Sequence, residues 1–507
     1  MSNRPSRRTI LRAAGAGAIG ISGMAILAAC GESEPEPEPA PAAAAAPAPA
    51  ATAAPAPAAA PAQPAAAPQP ETVTLSYVGD HTSGPRGAAM QWGLKQYAAL
   101  RPNIFVKFIP QPADYATSVF PLQMAAGTQA EVAMLDGGML GAFVNDGGFT
   151  EINDGLSKRD DYIPEDYYFI PDLYTVNHDH AHGEGSNPSN VIEGAQFGMP
   201  FQGALGGIVM NTTMGEEAGV EFPSEGWTYE NEFLESCKQV TDPDIDQWGT
   251  WAHNGYEFHW SPMAFMSGAK AMRNADETEL AVFDDGGDFG LNFSVGLIHN
   301  ENVSFPLADN KRLAGEFGNP FAAGKVWSWL SSVVYTTGYH VPRIKDRFKW
   351  SLGPMPLASL GEEIHEWNDQ PHLVTNGAQR YGTIEEAIDL ILFLGGPTYQ
   401  GRVAIDRGHL PMHRGVFDTD EAKAPPPEGM EWLKRYADVG NVNRHLMMAL
   451  PAWWEMYEWR KTPDAAYLGD KPVDQVIDEA KHLVRTSLAG QRDLLNEGRQ
   501  KFGFPPL

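Results

Sequence analysis

Acidic and imidazole side chains stand directly after two short apolar segments near the beginning of the chain. "TVTLSYVGD" (72–80) alternates apolar and polar residues and predicts a strand that ends at Asp80-His81. "AEVAMLDGG" predicts another strand, which ends at Asp136. Ligands of open α/β sheets lie beyond the carboxyl ends of strands, where these side chains are expected. The two aspartates could instead cap the helices that follow them.

The segments between these strands have helical and strand patterns. "GPRGAAMQWGLKQYAAL" (84–100) has Met90, Leu94 and Tyr97 at helical spacing, and "IFVKFIPQP" predicts a second strand. "DYATSVFPLQMAAG" (114–127) predicts a helix capped by its last glycine. The resulting β-α-β-α-β order predicts an α/β fold with a doubly wound sheet. Further along, "FGMPFQGALGGIVMNTTM" predicts strand, turn and strand, and "GTIEEAIDLILFLGG" predicts a helix.

The amino terminus has the features of an export signal. Arg7-Arg8 precede a short apolar run, 13–29, which ends in small residues before Cys30. This pattern resembles a bacterial lipoprotein signal of the twin-arginine type (1–30), with Cys30 as the lipidated residue. A weakly hydrophobic anchor helix is the alternative. Residues 31–71 are almost only Ala, Pro and Glu and predict a disordered tether.

Composition limits the classes of function. The roughly 436 residues after the tether exceed the ~250–300 residues of a usual single domain, so two lobes are expected. The formal charge of −28 argues against nucleic acid and anionic lipid as partners. The mature chain has one other cysteine, Cys237, so we expect a buried thiol and no intrachain disulfide. After residue 30 no segment is long and apolar enough to span a bilayer.

Several segments in one order resemble the extracellular solute-binding proteins of family 1, the sugar-capture subunits of ABC importers. They are "AAGTQAEVAMLD", "FGMPFQGALGGIVMNTTMGEEAGVEFPSEGWTYENEFLESCKQVT", "FAAGKVWSW", "WSLGPMPLA" and "GTIEEAIDLILFLGGPTYQGRVAIDRGHLPMHRGV". Departures from the family pattern are Glu131 in place of proline, Trp327-Ser328-Trp329 at a strand end, Ser332-Val333-Val334 in place of Gly-Pro-Trp, an insertion at 176–195, and the tail beyond 417.

The resemblance implies a two-lobed periplasmic-binding-protein fold, each lobe a doubly wound sheet flanked by helices, that closes on ligand about a hinge. Lobe one is expected at 72–201 plus 327–383, and lobe two at 204–326 plus 384–507, with a crossing near Phe201-Gln202. The resemblance also implies a monomer without catalysis or cofactor, lipid-anchored outside the cytoplasm in the cell envelope. Its ligand would be a sugar, and its partner the permease subunits of the importer.

The resemblance also suggests ligand-binding residues, because a sugar needs polar groups around its ring and aromatic rings against its faces. Candidates on strand-end loops of the family type are Asp80, His81, Asp136, Gln202, Ser331 and Ser332. Trp251, His253 and Asn254 follow a strand of lobe two, and the further candidates are Tyr335, Asn376, His409, Trp453 and Trp454.

Three motifs could suggest metal sites, and other functions stay open beside sugar binding. His178, His180 and His182 would share one side of a strand and could bind zinc, although a loop without metal is expected. "IHEWNDQPH" (364–372) begins like a zinc-binding helix, but Asp369 and Pro371 disagree with that motif. "FDDGGDFG" (283–290) is interpreted as a turn and not a calcium loop. A non-sugar solute, such as a metal, polyamine or amino acid, or a glycoside-processing enzyme would be the other functions.

Overall fold

The computed structural model describes residues 72–112, 115–135, 143, 147–168, 195–253, 259–270, 279–332, 336–439, 442–443 and 461–488. Its strands are β1 (Val73–Gly79), β2 (Ile104–Pro110), β3 (Val132–Met134), β4 (Gly198–Asn211), β5 (Trp248–Thr250), β6 (Val326–Ser332), β7 (Trp350–Gly353), β8 (His365–Val374) and β9 (Val442–Asn443). Its first helices are α1 (Gly84–Leu100), α2 (Phe120–Ala126), α3 (Asn153–Leu156), α4 (Thr212–Ala218), α5 (Leu234–Val240), α6 (Ser261–Ser267), α7 (Asp288–His299), α8 (Asn310–Ala314) and α9 (Val341–Ile344). The later helices are α10 (Asn376–Tyr381), α11 (Ile384–Gly395), α12 (Pro397–Asp406), α13 (Arg414–Phe417), α14 (Asp420–Lys423), α15 (Glu431–Val439), α16 (Asp464–Tyr467) and α17 (Val473–Leu488).

The first sheet is built around β1. Strand β1 pairs in parallel with β2 on one side and β3 on the other, and β8 continues the sheet antiparallel to β3. Leu75 and Tyr77 point to one face and are fully buried with the cluster that includes Met90 of α1. The predicted β-α-β-α-β start and the α/β fold class are therefore confirmed. The expected second helix begins as a π-helical turn, Tyr115–Val119, before α2.

Strand β4 belongs to both sheets of the molecule. Its first part pairs antiparallel with β8, and its last residues pair with β6 on one edge and β7 on the other. The predicted turn within 197–214 is therefore wrong, since Gly198–Asn211 is one strand of 14 residues. Pairing along its length outweighs the turn preference of its glycines. The register with β8 shifts between Met199 and Gln202, so the pairing is irregular there, and it continues to Leu205 before β4 pairs with β6.

The second sheet contains β5, β6, β7 and the end of β4. Strands β5 and β6 pair in parallel, which places 327–332 with residues assigned to lobe two. Helices α11 and α12 pack against α1, on the elements of lobe one. Strand pairing and the buried faces of these helices decide which segments lie together. The predicted division into two lobes stays a prediction.

Other local predictions have clear outcomes. Residues 229–240 form a π-helical turn, Tyr229–Phe233, followed by α5, with Phe233, Cys237 and Val240 buried. Cys237 is a buried free thiol, and burial raises its pKa. "IHEWNDQPH" lies mainly in strand β8 and not in a helix, which removes the zinc-helix alternative.

The acidic segment 283–290 forms a turn that leads into α7, which begins at Asp288. Across the described ranges, no group of three or more His, Cys, Asp or Glu side chains could hold a metal ion. The histidine-rich segment 178–182 lies outside the described residues. None of the described helices combines the length and apolar character that crossing a membrane requires.

Candidate functional site

Strand β4 brings Gln202 against His81, which follows the carboxyl end of β1. The Nε2 atom of His81 lies 2.9 Å from Gln202 Oε1. Because an amide oxygen only accepts, Nε2 carries the proton and donates this bond. Nδ1 of His81 is then an acceptor, and it is buried without a hydrogen-bond partner among the described residues. An unsatisfied buried acceptor is costly, so the ring is suited to receive a donor from a ligand or water.

His409 repeats this arrangement beside His81. The two ring centroids are 5.3 Å apart. Nδ1 of His409 donates to the carbonyl of Leu410 at 3.0 Å, which leaves Nε2 as the acceptor. Within the described part of the chain, Nε2 is also buried without a partner. Two neighbouring imidazoles therefore each have an acceptor nitrogen that lacks a donor.

Phe201 packs the imidazoles together. Its ring stacks on His372 with centroids 3.7 Å apart and lies 4.8 Å from His81 and 4.9 Å from His409. The hydroxyl of Tyr77 lies 2.6 Å from Nε2 of His372. This packing fixes the ring planes and keeps the cluster apolar around its nitrogens.

Burial sets the charge of the cluster. It lowers the pKa of His81 and His372 well below the usual value, and the neighbouring His409 adds to this effect. The pKa of His409 itself falls to about 3, chiefly through burial. All three rings are therefore neutral at neutral pH. Asp80 lies 3.5 Å from Nε2 of His81, and its side chain is 37% exposed. Burial raises the pKa of Asp80, although Arg86 opposes this.

A second group of side chains lies at the carboxyl end of β5 and beside it on β6. The rings of Trp251 and Trp329 stack with centroids 4.9 Å apart, and both indole N–H groups are buried without a described partner. Nε2 of His253 lies 2.8 Å from Asp464 Oδ1, so it donates, and the Nδ1 acceptor is buried without a described partner. This group has both donors and an acceptor to offer.

The other candidates divide into two sets. Ser331 and Ser332 lie on β6, opposite Gly207 and Gly206 of β4. Asn376 accepts from Thr150 Oγ1 at 3.0 Å and donates to the carbonyl of Gly147, so its amide links segments of the protein. Outside the described residues lie Cys30, Asp136, Asn254, Tyr335, Trp453 and Trp454.

Three rings that hold the candidates in place are absent from the residues that the sequence predicts for the site. From the sequence, Phe201 is expected only at a crossing between lobes. His372 is part of a rejected zinc motif, and Trp329 is only a departure from the family pattern. The signal that could have found Phe201 and His372 is their position in strands that pair with each other, as Met199 does with His372. Trp327 and Trp329 lie two residues apart on β6, and side chains at this spacing in a strand face the same side of the sheet.

Residues 80–401 match the sequence profile of a family described as bacterial extracellular solute-binding proteins. No curated protein sequence matches the chain significantly. Several solved structures share the fold. An ABC substrate-binding protein from Listeria monocytogenes in complex with cycloalternan has a TM-score of 0.67 and 14% identity, over 83% of this chain and 100% of that chain.

Two further structures are similar over comparable lengths. The GacH receptor of Streptomyces glaucescens, solved without ligand and with acarbose, has a TM-score of 0.64 and 15% identity, over 83% of this chain and 99% of that chain. Maltose-bound MalE3 of T. maritima has a TM-score of 0.63 and 16% identity, over 82% of this chain and 100% of that chain. At these identities the likeness concerns the fold.

Proposed function

Since the chain belongs to the family of bacterial extracellular solute-binding proteins, we propose that it captures a carbohydrate, of oligosaccharide size, for an ABC importer. It binds the sugar outside the cytoplasm, catalyses no reaction, and delivers its cargo to the permease subunits. The observation that carries this proposal is the pair of unsatisfied acceptor nitrogens, Nδ1 of His81 and Nε2 of His409.

Neutral imidazole acceptors favour a ligand that donates neutral hydrogen bonds. The low pKa values of His81 and His409 keep both lone pairs available at neutral pH. Sugar hydroxyls donate to such nitrogens without bringing a charge into a buried site, whereas the two acceptor lone pairs would repel an anion. The cargo of the similar structures agrees with this class, since they hold cycloalternan, acarbose and maltose.

The second half of the site would come from the second sheet. The unsatisfied indole N–H groups of Trp251 and Trp329 could donate to sugar oxygens, and Nδ1 of His253 could accept from a hydroxyl. Stacked indoles also provide an apolar surface for the face of a sugar ring. The polar groups around the sugar would be completed by Asp80, Gln202, Ser331 and Ser332. The remaining candidates are also proposed as ligand-binding residues: Asp136, Asn254, Tyr335, Asn376, Trp453 and Trp454.

Hinge closure would join the two halves. Strands β4 and β8 both run along the first sheet, and β4 continues into the second. The irregular pairing between Met199 and Gln202 supports a bend at this point. A sugar that contacts both sheets stabilises the closed form and shifts the population toward it. The closed form would then dock on the permease.

The amino-terminal segment would keep this body near its transporter. We infer that residues 1–30 direct export, that Cys30 is lipidated, and that 31–71 act as a flexible tether. Incorporation of labelled palmitate into the full chain in cells, and its loss in Cys30→Ser, tests the anchor. Equal labelling of both proteins would contradict it.

The test of the cargo class is a thermal-shift screen of the full chain. The panel contains oligosaccharides, monosaccharides, polyols, amino acids and divalent metals. Ligand at 100 times its dissociation constant adds about 2.7 kcal/mol of stability, which raises the melting temperature by roughly 2–4 °C. A shift confined to some sugars supports the proposal. A shift with amino acids or metals alone would overturn it.

A further inference from the structure

A second cavity lies on the first sheet, away from the imidazole cluster. Its volume is about 710 Å³, and it is bordered by β1 as far as Val78, the π-helical turn before α2, the segment 128–131 and Thr383, which precedes α11. Tyr77, which contacts the imidazole cluster, lies on the other face of β1 from Ser76 and Val78. The size is within the range of small-molecule sites, roughly 300–1,000 Å³. The proposed sugar site does not use this cavity.

Glu131 places a buried carboxylate on the wall of the cavity. The residue is 5% exposed, and its Oε2 accepts from the backbone N–H of Ser76 at 2.9 Å. None of the described basic side chains forms an ion pair with it. The guanidinium of Arg380 instead donates to Gln129 at 3.0 Å, and Lys107, opposite Ser76 in the register of β1 and β2, is exposed. A buried carboxylate with one neutral donor is poorly compensated and favours a cationic partner.

Thr383 adds an unsatisfied polar atom to the lining of the same cavity. The residue is 9% exposed, and its Oγ1 is buried with no hydrogen-bond partner in the described ranges. It precedes helix α11 but does not cap it through its side chain. This hydroxyl is therefore free to bind a polar group in the cavity.

Apolar side chains form one part of the wall, and polar residues such as Gln123, Thr128 and Gln129 form another. Val78 and Ile109 are register partners on β1 and β2, and Tyr115 and Val119 come from the π-helical turn above them. The hydroxyl of Tyr115 points to Gln123, at 3.3 Å from Oε1. The cavity thus has one anionic end and one apolar side, which is the pattern expected for an amphipathic cation.

We propose that this cavity binds a small organic monocation, whose ammonium group donates to Glu131 and Thr383 and whose apolar part lies against Val78, Ile109 and Tyr115. One carboxylate matches one ammonium group, so a monoamine fits better than a polyamine. The site is independent of the proposed carbohydrate function, and the protein would bind both ligands at once.

Isothermal titration of the full chain with hexylamine, 1-hexanol and hexanoate tests the proposal. Hexylamine is expected to bind, and 1-hexanol and hexanoate at least tenfold more weakly. Glu131→Gln keeps an oxygen for the Ser76 N–H but removes the charge, and it should weaken hexylamine binding at least tenfold. Thr383→Val should weaken it about threefold, as expected for one neutral hydrogen bond. Glu151→Gln, which changes an exposed glutamate, should leave binding unchanged.

A further variant keeps the test decisive if Glu131→Gln does not fold. Val119→Trp fills the cavity from its apolar side and should abolish hexylamine binding while circular dichroism stays unchanged. Absence of hexylamine binding to the unmodified chain, equal binding of 1-hexanol, or full binding by a folded Glu131→Gln or Val119→Trp protein would each overturn the proposal. None of these results depends on whether the protein binds sugar.

Discussion

His81 and Gln202 are 121 residues apart in the chain, yet their side chains form a hydrogen bond of 2.9 Å. The bond joins the loop after β1 to the strand that both sheets share. It also fixes the tautomer of His81, so that the unsatisfied Nδ1 is an acceptor. One contact therefore couples the position of the ring to the shared strand and determines what kind of ligand group the ring can bind.

His81→Phe should weaken carbohydrate binding while the aromatic packing is kept. The phenyl ring can replace the imidazole against Phe201, but it has no acceptor nitrogen. Affinity for the sugar found by thermal shift should fall about tenfold, as for the loss of a hydrogen bond worth roughly 1.5 kcal/mol. Titration calorimetry measures this directly. His482→Phe, at an exposed site on α17, is the control. Unchanged affinity in His81→Phe would remove this ring from the site.

The imidazole cluster should make stability depend on pH below neutrality. The folded pKa values of His81, His372 and His409 are lowered, so the unfolded chain binds more protons than the folded one below pH ~6.5. Stability is fully present above that pH and falls as pH decreases, by about 1.4 kcal/mol per pH unit for each ring that stays neutral. Urea denaturation between pH 7.5 and 5 should show a smaller slope for His409→Gln. If the unfolding free energy had the same slope against pH in both proteins, the buried rings would not be the cause of the pH dependence.

Gly93 should be intolerant of alanine because α1 packs closely on α12. A Cβ at Gly93 would lie less than 3.0 Å from Cδ2 of the Tyr399 ring, so one helix would have to move. We expect Gly93→Ala to lower the free energy of unfolding by about 1–3 kcal/mol. A Cβ added at Gly401 on α12 would meet no atom within 4 Å, so Gly401→Ala should stabilise by about 0.5–1 kcal/mol. In chemical denaturation, the changes in the free energy of unfolding of the two variants should have opposite signs.

Asp389→Asn should destabilise the contact between α1 and α11. The carboxylate accepts from Arg101 at 2.8 and 2.9 Å, from Tyr97 at 3.0 Å, and pairs with Arg159 at 2.8 Å. Breaking a buried pair costs about 3–5 kcal/mol, but the 44% exposed side chain of Arg101 reduces this to about 2 kcal/mol. Denaturant midpoints at pH 7 measure the loss.

The same aspartate gives a pH-dependent check. Burial favours a higher pKa for Asp389, but the hydrogen bonds from Arg101 and its neighbours outweigh it and the pKa is lowered. Its contribution is therefore present above pH ~3.9 and is lost as pH falls through the lower folded value. The difference between the unmodified chain and Asp389→Asn should be constant from pH 6 to 7.5. A difference that disappears already at pH 6 would contradict this explanation.

The stacked pair Trp251 and Trp329 should be visible in solution. Indoles with centroids 4.9 Å apart and an interplanar angle of 27° couple their electronic transitions. Far-ultraviolet circular dichroism should therefore contain a paired band that Trp251→Phe removes. Trp350→Phe is the control, because Trp350 makes its ring contacts with Phe321 and His340 and not with Trp251. A paired band that persists in Trp251→Phe would refute the stacking.

Local sequence patterns predicted the helices and strands that are determined by the residues within them. The alternation in 72–80, the helical spacing in 84–100 and the apolar helix 384–395 all appear in the structure. The same reasoning predicted a turn within 197–214, because glycines are typical of turns. In the structure, pairing with strands on both edges keeps this segment extended. Those partners, β6, β7 and β8, lie more than 100 residues away in sequence.

The site was predictable only where the chain itself indicated it. Asp80 and His81 follow an obvious strand, so their position at its carboxyl end could be read from the sequence. The stacking of Phe201 on His372 depends on the antiparallel pairing of β4 and β8, which no local pattern contains. The packing of α11 and α12 against α1 was also beyond local patterns, since the buried face of a helix does not show which element it covers.

Strand β4 has a consequence for how the molecule unfolds. The first sheet pairs part of this strand with β8, and the second pairs its end with β6 and β7, so loss of the strand exposes backbone hydrogen-bonding groups in both sheets. Residues 68–507 also form one compact unit by their contacts. Chains of this length often unfold domain by domain. In this protein the common strand makes loss of structure in one sheet costly to the other, and a single cooperative transition is the expected behaviour of the body.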